Sequence, residues 1–207
     1  MVLVLFTLLL MPRFDNTKVM QSFSTLASPS ISGADSIAQA FTLIPVPKVV
    51  KKSSDIKAMG GYYVLDYPFT ADVTIGSKGA PFQGTIEGQI DKSFSVSAPF
   101  IAYADGATIK NVIIESASVS SSNADGHAGA IVATATGATR IYNCGVNGGS
   151  VSGTNHVGGI VGHLDHDPDK KTGARVINCY SYANIESGTD KGGIVGYNTF
   201  KSTAGDL

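Results

Sequence analysis

The most polar stretch of this 207-residue chain reads His163-Leu164-Asp165-His166-Asp167-Pro168-Asp169-Lys170-Lys171. Asp165, Asp167 and Asp169 alternate, so together they can offer oxygens to Ca²⁺, which takes about 6–8 of them. A full Ca²⁺ loop would also supply a glycine at its sharp turn and a distal glutamate, and both are missing. His163 and His166 offer the alternative of Zn²⁺. The plainer reading is a solvated surface loop whose Lys170 and Lys171 offset its acids. A second group is spread along the chain. His127, His156 and Asp190 each lie two residues before the first glycine of a recurring motif. Stacked in register, two imidazoles and a carboxylate can hold a transition metal with open positions. A wet corner of three polar residues is again the plainer reading.

Two cysteines, Cys144 and Cys179, occupy the same position in consecutive repeats. Stacking would set their Cα atoms about 5 Å apart, inside the disulfide range, but parallel in-register Cβ vectors suit a disulfide poorly. Two reduced thiols packing as small apolar groups are expected. The Gly-Gly-Ile-Val-Gly segments look superficially like a phosphate-binding loop. A dinucleotide site needs a following helix and an acidic residue about 20 positions on, and no helix follows here. Carbohydrate chemistry would need paired carboxylates about 5–9.5 Å apart, or carboxylate-held Ca²⁺ beside a basic residue. The best group for it is Asp165, Asp167 and Asp169 with Lys170, Lys171 or Arg175. Tyr180, Tyr182, Tyr197 and Phe200 are the candidates for stacking on sugars, and there is no Trp.

The elements that must position these residues follow from composition and period. Fifteen Lys+Arg against 16 Asp+Glu, with no basic run, argue against nucleic acid, because phosphate binding needs clustered cations. Charged residues make up only 15%, hydrophobic residues 43%, and Gly numbers 24. That is a weakly charged, glycine-rich chain able to bury a core, not a disordered one. Met1 to Met11 reads MVLVLFTLLLM, too short for a membrane-spanning helix but suited to the apolar core of an export signal. Residues 1–27 are therefore expected to be a signal peptide, although no Lys or Arg precedes the apolar run. Residues 28–60, with Pro29, Pro45 and Pro47, are expected to form an N-terminal cap or linker. It would end in a helical turn at Ser53–Met59 whose free N–H groups a Ser can cap.

From residue 61 the chain reads as strands, and three segments repeat: about 106–136, 137–172 and 173–207. Each carries an Asn (Asn111, Asn143, Asn178), and these lie 32 and 35 residues apart. In the second and third, Val151 and Ile185 precede by seven residues the motifs Gly158-Gly159-Ile160-Val161-Gly162 and Gly192-Gly193-Ile194-Val195-Gly196. A period of this length with short β-rich runs and no helical periodicity is one coil of a β-solenoid. The Gly-Gly pairs would sit where only small residues fit at sharp turns. Asn amides about 4.8 Å apart in neighbouring coils can bond up the stack.

These residues resemble the GLUG repeat of bacterial secreted and surface proteins. The matching pieces are Asn143-Cys144, Val151-Ser152-Gly153 and Val157 to Gly162, then Asn178-Cys179-Tyr180-Ser181 and Gly192 to Asn198. Tyr62-Tyr63-Val64-Leu65, Phe82 to Gly88 and Gly106 to Val112 look like the usual lead-in, so the likeness covers roughly residues 52 to 200. It implies a right-handed parallel β-helix and an extracellular setting, and it carries no catalytic residues. The first repeat departs from it, with Ala130 and Ala133 in place of glycines and Val112 in place of Cys.

The fold expected is all-β: a short right-handed parallel β-helix of roughly four or five coils with an N-terminal cap. The function expected is a non-enzymatic secreted or cell-surface module, a stalk, spacer or adhesin-like surface for a protein or glycan. No cofactor is expected unless Ca²⁺ binds the Asp165–Asp169 loop, and neither nucleic acid nor a transmembrane span. The alternative is a β-helix that binds or cleaves polysaccharide with that loop. The sequence stops just after the third Gly-Gly core without a capping helix. Because an uncapped edge would expose unpaired backbone groups, adjoining repeats or domains of a longer chain are also expected.

Overall fold

The computed structural model describes residues 46–120, 123–167 and 172–199. The proposed signal peptide, most of the proposed cap, Asp169, Lys170, Lys171 and Phe200 lie outside the described residues. Within them the protein is nearly all β, and its sheets are parallel. The one helical turn is a 3-10 turn at Ser53–Asp55. It is not capped by a serine of its own. Asp72 does that work from a distance, accepting from the Ser54 backbone N–H at 2.9 Å and its hydroxyl at 2.6 Å. These bonds hold the Asp72 carboxyl at about 2, below the usual carboxylate range.

The largest sheet runs, in spatial order, through Lys48–Lys52, Tyr62–Thr70, Thr85–Glu87, Thr108–Lys110, Arg140–Tyr142 and Arg175–Ile177. Its first strand comes from the region expected to be a cap; Val49 and Val50 pair with Val64 and Leu65 in a parallel ladder, whose register shifts before Lys52 meets Thr70. Register then joins Tyr63, Ile86, Ile109, Ile141 and Val176 into one column. Period-2 alternation turns that column inward, and Ile86, Ile109 and Ile141 are fully buried.

Each repeat then crosses three further sheets. In the second, Ile113–Val119 pairs with both Gly145–Val146 and Gly149–Val151, which in turn pair with Tyr180–Ser181 and Asn184–Ile185. The third holds Ala128–Gly129, His156–Gly158 and Asp190–Gly192. The fourth holds Ile101–Asp105, Val132–Thr136, Val161–Leu164 and Val195–Asn198. His166–Asp167 and Thr172–Gly173 pair antiparallel, as a small excursion between the second and third repeats, and Ser77 and Ala80 form an isolated antiparallel bridge.

At the corner after the first sheet, Asn111, Asn143 and Asn178 all adopt left-handed backbone, with φ of 56, 53 and 50°. Asn tolerates this conformation better than other side chains with a Cβ. Their amides form a ladder: Asn143 Nδ2 donates to Asn111 Oδ1 at 3.4 Å, and Asn178 Nδ2 to Asn143 Oδ1 at 2.8 Å.

The Gly-Gly corners have a different cause. Gly158, Gly159, Gly192 and Gly193 do not need left-handed backbone. Crowding explains three of them. A Cβ on Gly158 would overlap the Val161 carbonyl, and one on Gly192 the Val195 carbonyl. A Cβ on Gly159 would overlap the Gly193 carbonyl and the Ser181 hydroxyl. Gly162 and Gly196 face neighbouring backbone in the same way: their Cβ atoms would lie 2.7 Å from Ala128 N and from Gly162 O respectively. At Gly193 the space is open.

Cys144 is fully buried and Cys179 half-buried, and both are free thiols. Burial pushes the Cys144 thiol up, while the hydrogen bond from Cys144 brings Cys179 down to about 7. In the native protein iodoacetamide will therefore modify Cys179, with a rate that climbs through pH about 7. Cys144 will react only after unfolding. Peptide mapping of the alkylated protein reads this directly; equal labelling of both cysteines would contradict it.

Candidate functional site

Two adjacent strand columns bring the histidines together. In the third sheet, Val157 pairs with Ala128 and His156 with Asp190, so His127 stands at the register position next to His156. In the fourth, Tyr103, Thr134, His163 and Tyr197 face one another in successive strands. The Gly-Gly corner joins the two sheets, so the residue two before each motif meets the residue just after it.

The result is a three-imidazole cluster. Ring centroids of His127 and His156 are 4.6 Å apart, those of His127 and His163 4.6 Å, and those of His156 and His163 5.0 Å. One nitrogen from each ring lies within 4.8 Å of the other two. Tyr197 closes one side, stacked on His156 at 4.4 Å and 16°.

Each ring is held differently. His127 is only 6% exposed, and its Nδ1 lies 2.9 Å from Thr134 Oγ1. Asn123 builds the loop that delivers it. Asn123 Oδ1 accepts from the backbone N–H groups of Asp125 and His127, both at 3.1 Å, and its Nδ2 donates to Thr134 Oγ1 at 2.6 Å. His156 Nδ1 lies 2.7 Å from Asp190 Oδ2, the pairing that orients an imidazole and fixes its tautomer. His163 differs: among the described residues both its buried ring nitrogens are without a hydrogen-bond partner. Beyond the cluster, Asp125 accepts from Tyr103 Oη at 3.0 Å and pairs with Lys78 at 2.5 Å.

Desolvation is the main cause that pulls His127 down to about 4, and the neighbouring imidazoles add to it; His163 is lowered chiefly by desolvation too. These two rings are neutral at pH 7, with lone pairs available. The linked effect on stability has a definite sign. Between pH about 4 and 6.5 the unfolded chain binds the His127 proton and the folded chain does not, so stability rises with pH there. In EDTA-containing buffer, urea denaturation will show a loss on the order of 2 kcal/mol on going from pH 7 to pH 4. Phe at position 127 will flatten that slope, and an unchanged slope in His127→Phe would contradict the assignment.

The structure thus places His127 and His156 beside each other with Asp190 behind His156. His163 turns away from the acidic loop to join them. Asp165 lies apart, its Oδ1 accepting from the Thr199 hydroxyl at 2.6 Å. The side chains of His166 and Asp167, like all of Asp169, fall outside the described residues. Tyr180 and Tyr182 stand side by side at the surface, ring centroids 5.6 Å apart and 41% and 76% exposed, while Tyr197 belongs with the histidines. Tyr180 Oη donates to Asn147 Oδ1 at 2.8 Å.

No protein-family model, curated protein or solved structure matches the chain. Among the described residues no helix is long and apolar enough to cross a membrane.

Proposed function

We propose that the chain is a right-handed parallel β-helix of GLUG-like repeats that works as a non-enzymatic, secreted or cell-surface module of a bacterial protein, a stalk, spacer or adhesive surface. The observation that supports this reading most is the repeat-on-repeat register: Ile109, Ile141 and Val176 occupy one strand column at intervals of 32 and 35 residues. A stack of this kind gains about 4.8 Å of length per repeat and offers long, regular faces. Its function is then a matter of surface rather than of a reactive cleft.

A second reading, carbohydrate binding, is favoured by the exposed Tyr180–Tyr182 pair. Two adjacent aromatic faces suit the apolar face of a sugar ring, much as aromatic side chains anchor other ligands. A glycan array, run beside a reducing-sugar assay on polysaccharides, tests both. The module reading expects no release of reducing ends; glycan retention lost in Tyr182→Ala would add the second reading to it. Polysaccharide turnover abolished by Asp167→Ala would overturn both in favour of an enzyme.

A further inference from the structure

We propose that His127, His156 and His163 form a binding site for a divalent transition metal of the Zn²⁺ type, with a fourth position left for water or a small anionic ligand. Three observations combine. The ligand atoms of the three rings already lie within 4.8 Å of one another. Two of the rings have Nδ1 engaged, by Thr134 and Asp190, so each keeps its other nitrogen for a metal. The third, His163, buries two nitrogens that have no hydrogen-bond partner among the described residues. Buried polar groups are nearly always partnered, and a metal held with His127 and His156 would satisfy one of the two His163 nitrogens.

The chemistry of the set selects the ion. Three imidazoles without thiolates suit Zn²⁺, Cu²⁺, Ni²⁺ or Co²⁺ rather than Ca²⁺ or Mg²⁺, which take oxygen. Three protein ligands plus an open position is the pattern of exchangeable zinc sites; closed structural sites use four. Zn–N bonds of about 2.0–2.1 Å put tetrahedral nitrogens about 3.4 Å apart, so the rings must close by at most about 1.4 Å. Small side-chain rotations achieve that, because each ring is carried on or beside a strand. Asp190 behind His156 is the carboxylate–histidine–metal arrangement. Tyr197 stacked on His156 limits access from one side. The site would also tie the second repeat to the first, since His127 comes from one and His156 and His163 from the next.

The test is isothermal titration of Zn²⁺ into the full chain after EDTA treatment and dialysis, with far-UV circular dichroism to confirm that each variant folds. The expected result is one Zn²⁺ per chain. Affinity falls at least tenfold in His163→Gln and in His156→Gln, falls about 10- to 100-fold in Asp190→Asn, and stays unchanged in His166→Gln. Failure of the wild type to bind at millimolar Zn²⁺, or equal affinity of wild type and His163→Gln, overturns the site. Loss confined to His166→Gln overturns it in favour of the acidic loop. Where a histidine variant does not fold, Co²⁺ bound to the native chain decides. Visible bands of four- or five-coordinate cobalt, with shifted proton resonances from His127, His156 and His163, support the site. A six-coordinate spectrum without those shifts overturns it.

Discussion

Gly158→Ala will leave the protein unfolded or aggregated, whereas Gly193→Ala will leave its stability unchanged or slightly raised. Gly158 is the first glycine of its Gly-Gly pair and Gly193 the second of the next, and a sequence alone treats all four glycines as corner residues. The surroundings differ. A Cβ on Gly158 would overlap the Val161 carbonyl oxygen, with Gly196 N at 2.6 Å and Ile194 O at 2.8 Å. All three are backbone atoms, locked in the corner itself and in the neighbouring repeat, so relief requires the repeats to part. Such a clash belongs with the largest single-residue losses, above about 4 kcal/mol. At Gly193 nothing lies within 4 Å of the added carbon, and its φ is not in the left-handed region. Alanine there only restricts the unfolded chain, a gain of at most about 1 kcal/mol. Urea denaturation followed by far-UV circular dichroism reads both variants, and equal stability of the two would contradict the close approach at Gly158.

Ile141→Ala will cost about 3–4 kcal/mol, in the range for large-to-small changes at sites that cannot collapse. Ile141 is fully buried between Ile109 and Val176 in the main column. The ladder above and below fixes its backbone, so the cavity stays open. Ile177→Ala is the control. One position along the neighbouring strand, Ile177 points to the opposite face and is 47% exposed, so its truncation will cost under about 1 kcal/mol. A loss at position 177 as large as that at 141 would mean that the two faces are misassigned.

The period of the Asn and Gly positions carried most of what could be read in advance. A repeat of 32 to 35 residues with branched residues two apart leaves few options besides strands stacked in register, and the Asn111–Asn143–Asn178 ladder follows from that spacing. What the corner glycines are for was only half legible. Sequence reading assigned them to sharp turns, but Gly158 answers to the next repeat as well as to its own corner, and Gly159 to the next repeat, a long-range contact that no local pattern reveals. Lys48–Lys52 was obscured by Pro45 and Pro47, which suggested a linker just where the first strand begins. The histidine cluster was partly legible. His127, His156 and Asp190 share an offset from the motif. His163 lay hidden in the acidic stretch that follows it, next to Asp165 and His166. A signal was present: Thr134, His163 and Tyr197 each follow their five-residue motif directly. Recognising it required knowing that the corner folds the two flanks of the motif against each other.

The central claim is that equivalent residues of successive repeats lie side by side in parallel strands. Nuclear Overhauser contacts in the labelled protein test it most directly. Contacts are predicted between the methyl groups of Ile109 and Ile141 and between those of Ile141 and Val176. Parallel-ladder contacts should accompany them, matching the bonds from Arg140 N to Ala107 O and from Arg175 N to Thr139 O. Absence of both methyl contacts, or the close Hα–Hα contacts of antiparallel pairs among these strands, would contradict the stacked-repeat architecture.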